Sequence, residues 1–125
     1  MSEPISVSGV GQIARTVSDL AQSVAWYSDV LGLRHLYTFG NMAFFECGET
    51  RLMLTETEAL APESIVYFSS SDIVGDSNTL IARGVEFVQA PQLVHQHEDG
   101  SQEWMGFFND PDGRPLGLME RRVGN

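Results

Sequence analysis

Two histidines lie two residues apart in the segment HQHED, which runs from His95 to Asp99. If a strand continues through this segment, the alternation of side chains places both imidazoles on one face. Imidazole and carboxylate together bind divalent transition metals, so His95 and His97 form a candidate metal clamp. The pair Asp99-Gly100 is typical of a turn, however, and we favour a solvent-exposed polar hairpin tip.

The single cysteine, Cys47, is the other group with intrinsic reactivity. One cysteine excludes an internal disulfide and fits a reducing cytoplasm. We expect Cys47 to act as a small buried hydrophobic residue rather than as a nucleophile. The sequence contains no Ser/His/Asp or Cys/His constellation in a recognisable setting, so no catalytic residue is assigned.

The amino-acid composition argues against some classes of binding partner and favours others. The 125 residues include 7 basic and 17 acidic side chains, which gives a net charge of −10. No stripe of Lys and Arg could neutralise phosphates, so nucleic-acid binding is not expected. An acidic surface would attract a cationic ligand. Apolar runs fall well short of the roughly 20 residues of a membrane span, and no secretory leader is recognised, so we expect a cytoplasmic protein.

The first half of the chain predicts the element order β-α-β-β-β. The helix begins at the capping pair Ser18-Asp19 and ends at Gly32, where a left-handed residue is favoured. Alternating apolar residues and turn residues predict strands at 12–17, 33–39, 42–47 and 51–55.

The second half predicts the same order. Its helix, expected at 73–83, follows the cap Ser71-Asp72 and ends at Gly84. Strands are predicted at 64–69, 85–94, 103–109 and 115–120. The segment DPDG, at 110–113, is a strong turn because proline fixes one dihedral angle and glycine permits the next.

The two halves align as an internal repeat. The segment MAFF at 42–45 matches MGFF at 105–108, and LMLTE at 52–56 matches LGLME at 116–120. A longer hairpin between Gln89 and Gln102 accounts for the drift in spacing along the repeat. We therefore expect a single domain, residues 1–125, made of two βαβββ modules at about 9–57 and 63–121.

Three segments carry a resemblance to a known family: TVSDLAQSVAWYSDVLGL at 16–33, ARGVEFV at 82–88 and FFNDPDGRPLGLME at 107–120. The chain resembles, over nearly its whole length, the vicinal oxygen chelate superfamily. This superfamily groups glyoxalases, extradiol dioxygenases, fosfomycin-resistance enzymes and bleomycin-resistance proteins. The resemblance implies an α+β fold in which two βαβββ repeats form a curved mixed sheet around a concave cavity.

The resemblance also implies where a metal would be bound. Enzymes of the superfamily typically hold one divalent metal with His and Glu residues from the first and last strand of each half. The matching positions here are Gln12, Met53, Ile65 and Gly117. Only Gln12 offers an oxygen, and one neutral oxygen does not hold zinc or nickel against water. We therefore expect no metal and no cofactor.

Glu56 and Glu120 recur in both halves and are tempting as an acid–base pair. Each lies an odd number of residues after the inward-facing position of its strand, Met53 or Gly117, so it belongs to the opposite face. Alternation therefore predicts that both carboxylates turn toward the helix side or the strand end, away from a central site.

The inward alternation instead predicts a mostly apolar wall. Phe107 lies where related dioxygenases place a pocket aromatic, and Phe44 is its partner in the repeat. Such a wall suits a small organic ligand held by burial and a few hydrogen bonds. The predicted ligand-binding residues are Gln12, Phe44, Met53, Ile65, Tyr67, Phe107 and Gly117.

The resemblance thus favours a metal-free protein that binds a small organic molecule, cationic or aromatic, as bleomycin-resistance proteins sequester drugs. We expect a homodimer because the edge strands of an open sheet need cover. One alternative is a metal-dependent glyoxalase-like lyase, isomerase or dioxygenase that uses Gln12 with non-standard ligands such as His95 and His97. Another is a domain that acts through partner proteins, with its cavity packed shut.

Overall fold

The structure is a computed structural model, and it describes residues 10–123. The chain divides into two compact units, the first ending at Ala61 and the second beginning at Pro62. Each unit has the order β-α-β-β-β and one four-stranded mixed sheet, so the predicted α+β class with two βαβββ repeats is confirmed. That the two units form a single domain stays a prediction, and residue 9, the start of the first predicted module, lies outside the described residues.

The first unit closely follows its predicted elements. They are β1 (Gln12–Val17), α1 (Leu20–Ala25), β2 (Arg34–Phe39), β3 (Met42–Cys47) and β4 (Thr50–Glu56). The strands lie in the order β1-β4-β3-β2. β1 is parallel to β4, and the other neighbours are antiparallel.

The helix of the first unit starts as predicted and ends with a feature that was not predicted. The Asp19 side chain accepts a hydrogen bond from the backbone N–H of Gln22 at 3.0 Å, which caps α1. After Ala25 the chain continues as a π-helical turn, Trp26–Val30. The helical run then ends at Gly32, whose φ of +84° is the left-handed conformation that glycine adopts readily.

One side of the first sheet packs against the helix and forms the core of the unit. Phe45 and Leu54 are fully buried on this side, as is Tyr27 of the π-helical turn. The rings of Tyr27 and Phe45 lie 5.8 Å apart. Burial of each such side chain stabilises the fold by about 1.5–3 kcal/mol before the entropic cost is counted.

The second unit repeats this plan with longer strands in its hairpin. Its elements are β5 (Tyr67–Ser69), α2 (Ile73–Ala82), β6 (Phe87–Gln96), β7 (Gln102–Asn109) and β8 (Pro115–Arg122). The strands lie in the order β5-β8-β7-β6, with β5 parallel to β8. β5 is shorter than the strand predicted at 64–69.

The turn between β7 and β8 is built as the DPDG motif predicts. The Asp110 carboxylate oxygen Oδ1 accepts hydrogen bonds from the backbone N–H groups of Asp112 and Arg114, both at 2.9 Å. Gly113 has a φ of +76°. This turn fixes the register of β7 against β8.

No helix among residues 10–123 has both the length and the apolar character of a membrane span.

Candidate functional site

Each sheet has one side that faces its helix and one that does not. We call the second side the helix-free face. In the first unit it carries Gln12, Tyr37, Phe44, Arg51 and Met53. In the second unit it carries Tyr67, Met105, Phe107, Gly117 and Met119. These assignments follow from the strand registers, because residues in register on neighbouring strands project to the same side of a sheet.

In the first unit the structure brings together the three predicted ligand-binding residues of that half. Phe44 on β3 is in register with Met53 on β4. The Gln12 side-chain amide donates to the Met53 sulfur at 3.7 Å. Gln12, Phe44 and Met53 therefore form one continuous patch on the helix-free face.

Two further residues join this patch that sequence reasoning missed. Arg51 Nε donates to the Gln12 amide oxygen at 2.7 Å, and the Arg51 guanidinium carbon lies 4.8 Å from the centre of the Phe44 ring. Tyr37 stacks on Phe44 with 4.6 Å between ring centres. Arg51 shares the alternation of Met53, so that alternation could have identified it. Tyr37 was hidden because a register shift in β2, between His35 and Tyr37, breaks the alternation.

In the second unit the structure brings together Tyr67, Phe107 and Gly117. Gly117 on β8 is in register with Tyr67 on one side and with Phe107 on the other. A Cβ atom at position 117 would lie 2.5 Å from Cδ2 of Tyr67. The Tyr67 ring therefore lies directly over Gly117, and it meets Phe107 edge-to-face with 5.7 Å between ring centres.

Ile65, the remaining predicted residue, lies before β5 begins and is 39% exposed. The position of Ile65 in the second repeat still corresponds to that of Gln12 in the first. Met53 is in register with Ala14, two residues after Gln12, and Gly117 is in register with Tyr67, two residues after Ile65. The structure does not place Ile65 in the strand that carries Tyr67.

The residues at the four expected metal positions do not fit a divalent metal. The Gln12 oxygen is already hydrogen-bonded to Arg51, whose fixed positive charge opposes a cation there. Met53 offers only a soft thioether, and the ring of Tyr67 fills the space beside Gly117. Among residues 10–123, no group of three or more His, Cys, Asp and Glu side chains is arranged to hold a metal ion.

His95 and His97 lie at the end of the β6–β7 hairpin and belong to a local polar network. Their rings are 4.4 Å apart, and His97 Nε2 is 2.6 Å from a carboxylate oxygen of Glu103. The Asp99 carboxylate accepts hydrogen bonds from the hydroxyl and the backbone N–H of Ser101, at 2.6 and 2.9 Å. These two bonds hold the pKa of Asp99 below its usual value. The network closes the predicted turn at Asp99-Gly100.

The two repeated glutamates turn toward the helix side, as their alternation predicts, and each caps a helix, which was not predicted. A carboxylate oxygen of Glu56 accepts from the backbone N–H of Leu20, the first residue of α1, at 2.8 Å. Glu120 accepts in the same way from Ile73, the first residue of α2, at 2.8 Å. A carboxylate at this place satisfies a free N–H group and favours the helix dipole. Neither glutamate lies on a helix-free face.

The partly buried Cys47 lies at the end of β3, and burial raises the pKa of its thiol. A raised pKa lowers the fraction of thiolate at neutral pH, and the thiolate is the reactive form. Cys47 is therefore poorly suited to act as a nucleophile.

A duplicated βαβββ unit with helix-free sheet faces is the architecture that the sequence resemblance implied. The family model of the Glyoxalase/Bleomycin resistance protein/Dioxygenase superfamily matches residues 9–117, and the chain belongs to this superfamily. No curated protein matches the sequence significantly.

Solved structures share the fold at low sequence identity. TnmS3, an antibiotic binding protein from Streptomyces sp. CB03234, has a TM-score of 0.76 and 21% identity, over 94% of this chain and 98% of that one. Lactoylglutathione lyase from Agrobacterium tumefaciens has a TM-score of 0.70 and 21% identity, over 93% and 96%. A glyoxalase/bleomycin resistance protein/dioxygenase from Nocardioides has a TM-score of 0.69 and 22% identity, over 98% and 89%. At these identities the similarity shows the fold alone.

Proposed function

We propose that this protein is a metal-free member of the superfamily that binds a small, planar organic molecule on the helix-free faces of its sheets. The observation that carries the proposal is the ring of Tyr67 lying over Gly117. At a position where related enzymes keep a carboxylate ligand, this chain has a glycine that accommodates an aromatic ring. An aromatic surface thus replaces a metal ligand.

The side chains on both faces support binding by aromatic contact. Tyr37 and Tyr67 remain 48% and 43% exposed, so their rings are accessible to a ligand. The ring of Tyr37 stacks on Phe44, and the ring of Tyr67 meets Phe107 edge-to-face. Aromatic rings bind planar molecules through apolar burial and offset or edge-to-face contacts, and Gln12 adds a polar group that can orient a ligand. The antibiotic binding protein TnmS3 is a precedent within the fold for such a role.

We propose that the protein acts as a homodimer in the cytoplasm. The dimer would cover an exposed edge strand, and the single cysteine fits a reducing compartment. The alternative of a metal-dependent lyase, isomerase or dioxygenase has less support. It would need Gln12, whose oxygen accepts a hydrogen bond from Arg51, and His97, whose Nε2 is hydrogen-bonded to Glu103.

Metal content separates the two functions directly. Protein purified without an affinity tag and analysed by inductively coupled plasma mass spectrometry should contain well below one transition metal per chain. The control is a His95→Ala/His97→Ala variant, which should show the same content. Stoichiometric metal that is lost in this variant would contradict the proposal and favour the enzyme.

Ligand binding is tested on the same preparation by thermal shift. A library of planar aromatic compounds, positively charged, negatively charged and neutral, should contain members that stabilise the protein. A ligand at 100 times its dissociation constant adds about 2.7 kcal/mol to the free energy of unfolding. Tyr67→Leu should reduce the shift for hits that bind the second unit. A library that gives no shift would argue against small-molecule binding.

A further inference from the structure

The guanidinium of Arg51 is fixed by neutral groups. Its Nε donates to Gln12, its Nη1 lies 3.5 Å from the Tyr37 hydroxyl, and its carbon lies over the Phe44 ring. Its other N–H groups have no hydrogen-bond partner among residues 10–123. Glu46 is in register with Arg51, but its carboxylate pairs with Arg34 at 3.3 Å. Arg51 is therefore positioned without being neutralised.

Beside this cation lies a flat aromatic surface. Tyr37 and Phe44 are stacked with an angle of 26° between their rings. Tyr37 is 48% exposed, whereas Phe44, the ring on which it stacks, is only 7% exposed. Arg51 Nη1 lies 3.5 Å from the Tyr37 hydroxyl, so a planar ligand stacked on Tyr37 would have the guanidinium near its edge.

We infer that the helix-free face of the first unit selects aromatic anions, such as aryl carboxylates, with Arg51 binding the anionic group and Tyr37 stacking on the ring. This inference rests on the proposed function and adds the charge of the ligand to it. Arginine suits this task because its planar fork donates to both oxygens of a carboxylate.

The sign of the charge is opposite to the one that the net charge of −10 suggests. Charges on the surface are screened beyond about 8–10 Å at physiological ionic strength. The local field at the face is therefore set by the groups next to it, and with Glu46 and Arg34 offsetting each other, the uncompensated charge is that of Arg51.

The test compares two probes of nearly the same shape, 1-naphthoate and 1-naphthamide, by isothermal titration calorimetry. The native protein should bind naphthoate at least about tenfold more tightly, as expected for a charge-assisted hydrogen bond. Arg51→Met should abolish this preference. The matched control is the double variant Arg34→Met/Glu46→Gln, which removes the neighbouring ion pair as a whole and should retain the preference.

A measurement on the native protein needs no variant to fold. Raising the salt concentration should weaken the binding of naphthoate and leave that of naphthamide unchanged. Tyr37→Leu should weaken naphthoate more than cyclohexanecarboxylate while the preference for the charged probe persists. Circular dichroism confirms that each variant is folded.

The outcomes distinguish the inference from the function on which it rests. Equal binding of both probes to the native protein would overturn the selectivity for anions and leave small-molecule binding intact. Binding of neither probe, with no shift from the wider aromatic library, would overturn both. If Arg51→Met instead dissociates a dimer and naphthoate binding does not change, the face is an interface between two copies, and the inference is wrong.

Discussion

At the scale of single residues, Gly117 and Tyr67 form one steric unit. The hydrogen of Gly117 leaves room for the Tyr67 ring, whose Cδ2 would lie 2.5 Å from an added Cβ. Any larger residue at position 117 must displace the ring. A carboxylate introduced there would have to displace the Tyr67 ring, so a side chain at position 117 and the ring in its present place exclude each other.

Gly117→Ala should therefore destabilise the protein by about 1–3 kcal/mol, because overpacking forces the ring from its place. The double variant Gly117→Ala/Tyr67→Ala should recover part of this loss, with a coupling energy of at least about 0.5 kcal/mol. Urea unfolding of both single variants and the double variant measures the coupling.

The matched control is Gly11→Ala, since a Cβ at position 11 would have nothing within 4 Å. Its effect should stay within about 0.5 kcal/mol. Strictly additive effects of Gly117→Ala and Tyr67→Ala would show that the ring does not depend on the glycine.

The candidate site could be predicted from the sequence only in part, and single residues show why. Met53, Phe107 and Gly117 lie in regular strands, where simple alternation determines which side a residue faces. Arg51 follows the same alternation, but charge made it look like an ordinary surface residue. Its partners are set by the pairing of β1 with β4, which joins residues 39 positions apart, as Gln12 and Arg51 are.

At the scale of elements, each helix is joined to the last strand of its own repeat by a carboxylate. Glu120 on β8 caps the first residue of α2, and Glu56 on β4 does the same for α1. Because the bond crosses from strand to helix, it fixes the start of the helix over the sheet as well as satisfying an N–H group.

Glu120→Ala should lower the free energy of unfolding by about 1–2 kcal/mol, since it removes a partly buried cap and leaves the Ile73 N–H without its partner. Glu58→Ala, an exposed residue beyond β4, is the control and should change stability by less than about 0.5 kcal/mol. Chemical unfolding measures the change in the free energy of unfolding for both variants.

Ligand binding provides the second readout for the same variants. Glu120 does not lie on a helix-free face, so Glu120→Ala should bind aromatic probes with unchanged affinity while it remains folded. A large loss of affinity with unchanged stability would mean that the carboxylate acts in the site rather than as a cap.

The elements themselves were predicted well where turns and caps are encoded by residue type. Asp19, Gly32 and the DPDG turn have conformational preferences that act locally, and the structure uses all of them. The π-helical turn and the short β5 were not predicted. The π-helical turn depends on an i→i+5 bond, from the Leu31 N–H to the Trp26 carbonyl at 3.0 Å, which residue preferences do not distinguish from the i→i+4 bond of an α-helix. The length of β5 depends on its pairing with β8, in which Tyr67 is in register with Gly117.

At the scale of the whole molecule, the two sheets differ in how their edges are protected. β6, one of the two edge strands of the second sheet, contains Pro91 and several register shifts, both of which hinder pairing with another strand. β2, one of the two edge strands of the first sheet, has no proline, and its Phe39 is 69% exposed. We expect the proposed homodimer to form through β2, because pairing there would cover the exposed ring of Phe39.

Phe39→Lys should raise the dissociation constant of the dimer by at least about tenfold, because a lysine on an edge strand opposes pairing and the exposed ring is lost. Val88→Lys is the matched control on β6, where the side chain is 64% exposed, and it should leave association unchanged. Sedimentation velocity over a range of protein concentrations measures both. Dissociation by Val88→Lys alone would place the interface at β6, and a native protein that stays monomeric throughout would exclude the dimer.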